Sequence, residues 1–285
     1  MLRSLILFLA NARWARRLIS RFGFARRTAS RFVAGEADAD AIAAIQILNA
    51  RGIQATLDYL GESVTSEADA TRAADEYVAV LGRIHECGAR SNVSLKLTQM
   101  GLDLSQDFCI ANVRRIVAKA GELNSFVRID MEGTAHTDAT LAVFNVLHQE
   151  FDNVGIVLQA YLYRTGDDLK AVLADKSRVR VCKGAYKEPP DKAFPRKADV
   201  DENFVRLAQV LLDNARLRTP ANAAGRVPPV PAIATHDEKL MRAVQAYAAE
   251  RAIPREYFEF QMLYGIRRDL QDELAKEGYT LRVYV

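Results

Sequence analysis

The chain has 285 residues, 49% of them hydrophobic and 26% charged, with a formal net charge of +3. That composition excludes a disordered chain and supplies apolar residues for one large core. Three scattered cysteines (Cys87, Cys109 and Cys182) without C-x-x-C spacing argue against a disulfide framework and for a reducing compartment, and four histidines (His85, His136, His148 and His236) without zinc-ligand spacing argue against a metal centre.

The charge is unevenly spread. Residues 1–35 hold eight arginines and no acid, whereas the remainder holds 31 basic and 36 acidic residues. A nucleic-acid-binding fold usually carries a basic face, so no nucleic-acid partner is expected of this mildly acidic body. The apolar run Met1–Ala10 is too short to span a bilayer. It lacks a persuasive secretory cleavage site, although a transit peptide would share its arginine-rich bias. Residues 1–35 read as a basic amphipathic segment with Leu5, Phe8, Leu9, Leu18 and Phe22 as apolar anchors. Two roles fit it equally: peripheral contact with an anionic membrane surface, or packing on the body with arginines in solvent.

Eight short apolar runs follow, each closing on or beside a polar residue: Ala55–Gly61, Asn92–Thr98, Phe126–Glu132, Gly155–Leu162, Val179–Gly184, Pro231–Asp237, Phe258–Leu263 and Leu281–Val285. Helix-like stretches lie between them at Ser66–Glu86, Gln106–Gly121, Thr137–Glu150, Asp167–Ala174, Asp199–Arg216, Glu238–Glu250 and Ile266–Glu277. Ser66, Thr137 and Asp199 read as helix starts, and Gly121 and Gly278 as stops. Strands alternating with helices imply parallel pairing through right-handed crossovers. Eight such units predict an α/β fold, a (βα)8 TIM-type barrel over 36–285 with N-terminal helices and no helix after the eighth strand. The loop Glu188–Ala198 then falls on the catalytic side as a candidate lid, and Thr219–Pro231 on the opposite face.

In such a barrel, chemistry sits at the carboxyl ends of the strands. Those ends present Lys96 and Thr98, then Asp130, Met131 and Glu132, then Gln159 and Tyr161, then Arg180, Lys183, Gly184, Ala185 and Tyr186, then Thr235, His236 and Asp237, then Gln261, Leu263 and Tyr264. Alternation turns every second side chain inward, so Lys96, Asp130 and Arg180 are expected to face one another across the mouth. Lys96 with Asp130 has a plainer reading as a buried ion pair, Asp237 as a helix cap, and Gly184-Ala185 as a tight turn. An inward ring of Lys, Asp, Gln and Arg suits an electron-rich cofactor such as a flavin, which asks the protein for orientation and electrostatics. Neither G-x-G-x-x-G nor a Walker sequence is present. A rival reading on the same barrel makes Lys96 or Lys183 the Schiff-base lysine of an aldolase.

Seven ordered segments closely resemble proline dehydrogenase in its bacterial monofunctional form. They are Val93–Thr98, Arg128–Gly133, Leu158–Arg164, Arg180–Tyr186, Ala193–Pro195 with Asp199–Asn203, Ala234–Asp237 and Phe258–Gly265. The resemblance spans roughly residue 30 onward. It implies a distorted barrel with non-covalent FAD, which oxidises L-proline to Δ1-pyrroline-5-carboxylate by hydride transfer from proline C5 to flavin N5 and passes electrons to a membrane quinone. By matching position, Asp130 and Arg180 are the catalytic candidates, Arg180 beside flavin N5 and Asp130 orienting Lys96. Lys96, Tyr186, Leu263 and Tyr284 are substrate-binding candidates. Met131, Gln159, Arg180, Lys183, Gly184 and Ala185 are cofactor contacts, with Thr235 and His236 nearer the adenine half. The implied location is cytoplasmic, peripheral at the inner face of the membrane.

The family carries a further helix after the eighth strand, whose tyrosine and adjacent arginines grip the proline carboxylate. This sequence stops at Arg282-Val-Tyr-Val285, and Arg267-Arg268 opens an earlier helix. The expectation is therefore a truncated record, weak proline binding, and an uncovered apolar surface that invites self-association into oligomers. A non-catalytic FAD-binding protein is the second alternative.

Overall fold

The computed structural model describes residues 34–285 except 36, 62, 176 and 216–223. The expectations for residues 1–35 therefore lie, apart from Ala34 and Gly35, outside the described residues. A helix α1 (Asp38–Ala50) leads into eight strands: β1 (Gln54–Leu57), β2 (Ser91–Leu95), β3 (Val127–Ile129), β4 (Val154–Gln159), β5 (Arg178–Cys182), β6 (Pro231–Ala234), β7 (Glu259–Leu263) and β8 (Thr280–Tyr284). Between successive strands run α2 (Glu67–Glu86), α3 (Gln106–Glu122), α4 (Thr137–Glu150), α5 (Thr165–Ala174), α6 (Lys197–Ala215), α7 (Glu238–Glu250) and α8 (Arg268–Lys276). All strands pair in parallel and in chain order, and β8 returns to β1 with Ala55 opposite Val283, closing the barrel.

Burial on both faces makes the strands read as continuous apolar runs; every residue of β4 is buried. The helices cover the barrel with one apolar stripe each. In α2 the buried positions Ala70, Ala73, Ala74, Tyr77, Val80, Leu81 and Ile84 recur at helical spacing, and the Ser66 side chain caps the helix by accepting from the Asp69 amide.

Several expected boundaries move. Helix α4 is preceded by His136 with no side-chain cap, so Thr137 is its first residue rather than its cap. Helix α6 begins at Lys197, which places Asp199 inside the first turn. Helix α3 passes through Gly121 to Glu122, and the left-handed residue beyond it is Asn124, at φ 49°. Gly278, at φ 80°, is the stop that the sequence suggested.

The barrel base holds a layer of buried charge. Arg282 and Glu259 pair at 3.0 Å with relative side-chain exposures of 1% and 0%. The Arg282 guanidinium also donates to the carbonyls of Ala55 and Gly225 at 2.7 and 3.1 Å. Arg128 donates to the Arg178 carbonyl at 2.6 Å. Gly155 makes room for it, because a Cβ there would lie 2.6 Å from the Arg128 Nη1. The loop preceding β6 closes this end through Gly225 and through Arg226, whose carbonyl accepts from Asn92, on the side opposite the site as expected.

Candidate active site

The apolar runs outlast the strands. Strand β3 ends at Ile129, but the Asp130 amide still donates to the Leu95 carbonyl at 2.8 Å, which fixes the backbone as it leaves the sheet. Asp130 is the hub of the site. Its Oδ1 accepts from Arg180 Nη2 at 2.5 Å and from the Ser94 hydroxyl at 2.5 Å, and its Oδ2 accepts from the Tyr284 hydroxyl at 2.6 Å. Lys96 Nζ stands 3.7 Å from the same Oδ2. Burial alone would raise the Asp130 carboxyl, but Arg180 and Lys96, with the hydroxyls of Ser94 and Tyr284, outweigh it and hold it below the usual carboxylate range.

The expected meeting of Lys96, Asp130 and Arg180 therefore occurs, with one revision. Of the two described carboxylates beside Lys96, the nearer is Asp58, just beyond β1, at 2.8 Å. Burial pushes the Asp58 carboxyl up to about 6, with Lys96 opposing and Asp130 reinforcing the shift. Sequence reading passed over Asp58, although it is the charged residue inside the first apolar run. The guanidinium of Arg180 also donates to Gln261 Oε1 at 3.2 Å and lies 5.3 Å from the Tyr284 ring centroid.

After β5 the chain turns at Gly184, φ 107°, where a Cβ would come within 2.3 Å of the Tyr161 ring. Only glycine fits this turn. Lys183 reaches Asp201 at 2.6 Å and Asp237 at 3.0 Å. Asp237, weighed above as a helix cap, makes no capping bond to α7 and serves as a counter-charge instead. His236 Nε2 accepts from the Leu263 amide at 2.8 Å, and burial lowers the pKa of its ring. The loop expected as a lid is tied down across this face: Glu188 accepts from the Thr134 amide at 2.9 Å, and the Phe194 amide donates to the Tyr161 carbonyl at 2.8 Å.

The carboxyl ends of β2 to β8 open on one cavity of about 680 Å³, within the range of small-molecule and cofactor sites. Every residue assigned above to catalysis, substrate or cofactor lines it: Lys96, Asp130, Met131, Gln159, Arg180, Lys183, Gly184, Ala185, Tyr186, Thr235, His236, Leu263 and Tyr284; of the other strand-end candidates, Thr98, Glu132, Tyr161 and Tyr264 do not. Tyr186 and Leu263 are exposed at the mouth, and Asp130, Arg180 and Gln159 are buried within. Gln159 Nε2 donates to the Met131 carbonyl at 3.2 Å, while its buried Oε1 has no partner among the described residues. A buried acceptor of this kind calls for a ligand donor. Gln159, the apolar wall of Met131, Val157, Ala234 and Met262, and the Arg180 cation together fit a flavin.

Fold and site thus define a barrel enzyme with its ligand cavity at the carboxyl ends of the strands. A family model described as proline dehydrogenase matches residues 41–285. The chain is 40% identical over 285 residues to proline dehydrogenase 1 of Bacillus subtilis subsp. natto, covering 100% of this chain and 90% of that protein. It is 41% identical over 262 residues to proline dehydrogenase of Deinococcus radiodurans, covering 90% of this chain and 80% of that one. Among solved structures, proline utilization A from Bdellovibrio bacteriovorus, inactivated by N-propargylglycine, superposes with a TM-score of 0.82 at 26% identity, over 92% of this chain and 31% of that one. The chain belongs to the proline dehydrogenase family, an enzyme family of flavin-dependent oxidoreductases.

Proposed function

We propose that this chain oxidises L-proline to Δ1-pyrroline-5-carboxylate with FAD as its cofactor and delivers the electrons to a membrane quinone. The observation that carries this reading is the cluster of Asp130, Arg180, Lys96 and Tyr284 on the wall of a largely apolar cavity, in a chain of this family. FAD, held in this cavity, would supply the two-electron acceptor for oxidation of proline at C5.

The chain's own residues bind and orient. Arg180 is assigned to the N5 end, where a fixed cation in a buried setting stabilises negative charge. Asp130 holds Arg180 and Tyr284 in place. Lys96, Tyr186, Leu263 and Tyr284 are assigned to proline, whose transfer geometry depends on positioning. Met131, Gln159, Lys183, Gly184 and Ala185 are assigned to the cofactor, with Thr235 and His236 toward its adenine half.

Among the described residues no helix is long and apolar enough to cross a membrane. Access to quinone is assigned to the basic segment 1–35, as a peripheral contact at the inner face of the membrane. The aldolase reading is disfavoured because each lysine is paired with two carboxylates, Lys96 with Asp58 and Asp130, Lys183 with Asp201 and Asp237. A Schiff-base lysine must aim its Nζ at a substrate carbonyl, whereas both Nζ atoms here are turned toward carboxylates.

The test is the visible spectrum of the purified protein before and after anaerobic addition of L-proline. Flavin peaks should bleach, then return when a soluble quinone is supplied. Bound flavin that stays oxidised under excess proline would reject the reading in favour of a non-catalytic flavoprotein.

A further inference from the structure

Asp58 has no part in the roles assigned so far, yet it is held from three sides. Its side chain is 3% exposed, and Oδ2 accepts from the Lys96 ammonium at 2.8 Å. The Tyr77 hydroxyl shares its one proton between the Ser94 carbonyl at 2.9 Å and Asp58 Oδ1 at 3.1 Å, and accepts from the Tyr59 amide at 3.1 Å. The Asp58 amide donates to the Val285 carbonyl at 3.0 Å, across the seam where the barrel closes. Asp58 lies behind the cavity wall, whereas Lys96 is part of it. The long lysine stem needs an anchor to present its charge in one place. Asp130 is poorly suited to that task, because Arg180, Ser94 and Tyr284 already occupy its oxygens and Lys96 stands off at 3.7 Å.

We propose that Asp58 is a positioning residue for substrate binding: its carboxylate, behind the wall, holds the Lys96 ammonium at the cavity surface where proline is received. This inference rests on the function proposed above.

Among the described residues, the groups facing Asp58 are Lys96 beyond β2, Tyr77 from α2, Asp130 beyond β3 and Tyr284 from β8. With its carboxyl pushed up to about 6, chiefly by burial, Asp58 is ionised near neutrality and takes a proton as the pH falls through that value. The sign for stability is informative. The folded protein binds this proton more tightly than the unfolded chain, so the contribution of Asp58 to stability falls as pH rises through about 6.

The experiment compares the parent protein with Asp58→Asn and Asp58→Glu across pH, by steady-state turnover with a soluble quinone for KM and by anaerobic flavin reduction for the limiting rate. In Asp58→Asn the KM for proline should rise about tenfold, as expected for losing a hydrogen bond to a charged group. The limiting reduction rate should stay within about threefold, and the melting temperature should not fall. The parent KM should climb as the pH drops through about 6. That acid limb should vanish in Asp58→Asn and persist in Asp58→Glu. An Asn variant with parental KM and parental pH profile overturns the inference, as does one that melts lower while KM holds. Should the Asn chain fail to fold, the parent profile decides, and a KM flat through pH 6 rejects the role. A parent protein that proline does not bleach removes the proposed function itself and this inference with it.

Discussion

Glu259→Gln tests the physical account of the barrel base without touching the cavity. The substitution keeps shape and an acceptor oxygen but leaves the Arg282 guanidinium, 1% exposed, without a counter-charge among the described residues. Breaking a buried pair by removing one partner costs about 3–5 kcal/mol. Arg282 retains the Ala55 and Gly225 carbonyls and the Gln54 side-chain oxygen, so the loss belongs at the lower end, about 3 kcal/mol. With about 2.1 cal/mol/K of unfolding entropy per residue, this corresponds to a fall of about 5 °C in melting temperature for a chain this long. Calorimetry or circular dichroism reads it, and flavin reduction by proline, measured well below the transition, should stay within about threefold of the parent because Glu259 lies below the cavity layer. A companion Glu259→Leu/Arg282→Met variant should recover only part of the loss. It removes both charges but orphans the carbonyls that Arg282 now satisfies. A Glu259→Gln protein that melts within about 2 °C of the parent, a loss near 1 kcal/mol, would refute the reasoning.

Two further outcomes follow from the site. Arg180→Ala should slow the limiting rate of flavin reduction about 100-fold or more, as removal of a preorganised electrostatic group does. The chain should still fold, since Asp130 keeps Ser94, Tyr284 and Lys96; a parental rate in stopped-flow reduction would dismiss the N5 assignment. Gly184→Ala should destabilise the protein by about 1–3 kcal/mol through overpacking against Tyr161, with further backbone strain at φ 107°. Its retention of FAD should weaken in parallel, measured by equilibrium dialysis, and a variant with parental melting and parental retention would show that the turn relaxes without consequence.

Much of the architecture is one-dimensional information. Short apolar runs separated by amphipathic stretches determined the strands, the helices and the parallel order, because each element buries its face at a period written locally in the chain. The residues at the strand ends were legible for the same reason, and they converge because parallel strands put all their carboxyl ends on one side. What the sequence left open is who pairs with whom. The runs past β3 and β4 stay apolar because Met131 and Ala160–Leu162 remain buried above the barrel, so periodicity alone overextended those strands. Asp58 was hidden within such a run, and only the lateral placement of β1 beside β2 and β8 brings its carboxylate to Lys96. Asp130 and Arg180 are 50 positions apart in the chain, and Arg282 and Gln54 are 228 apart. Such charges find partners through sheet register and closure, and register exists only when the strands lie side by side.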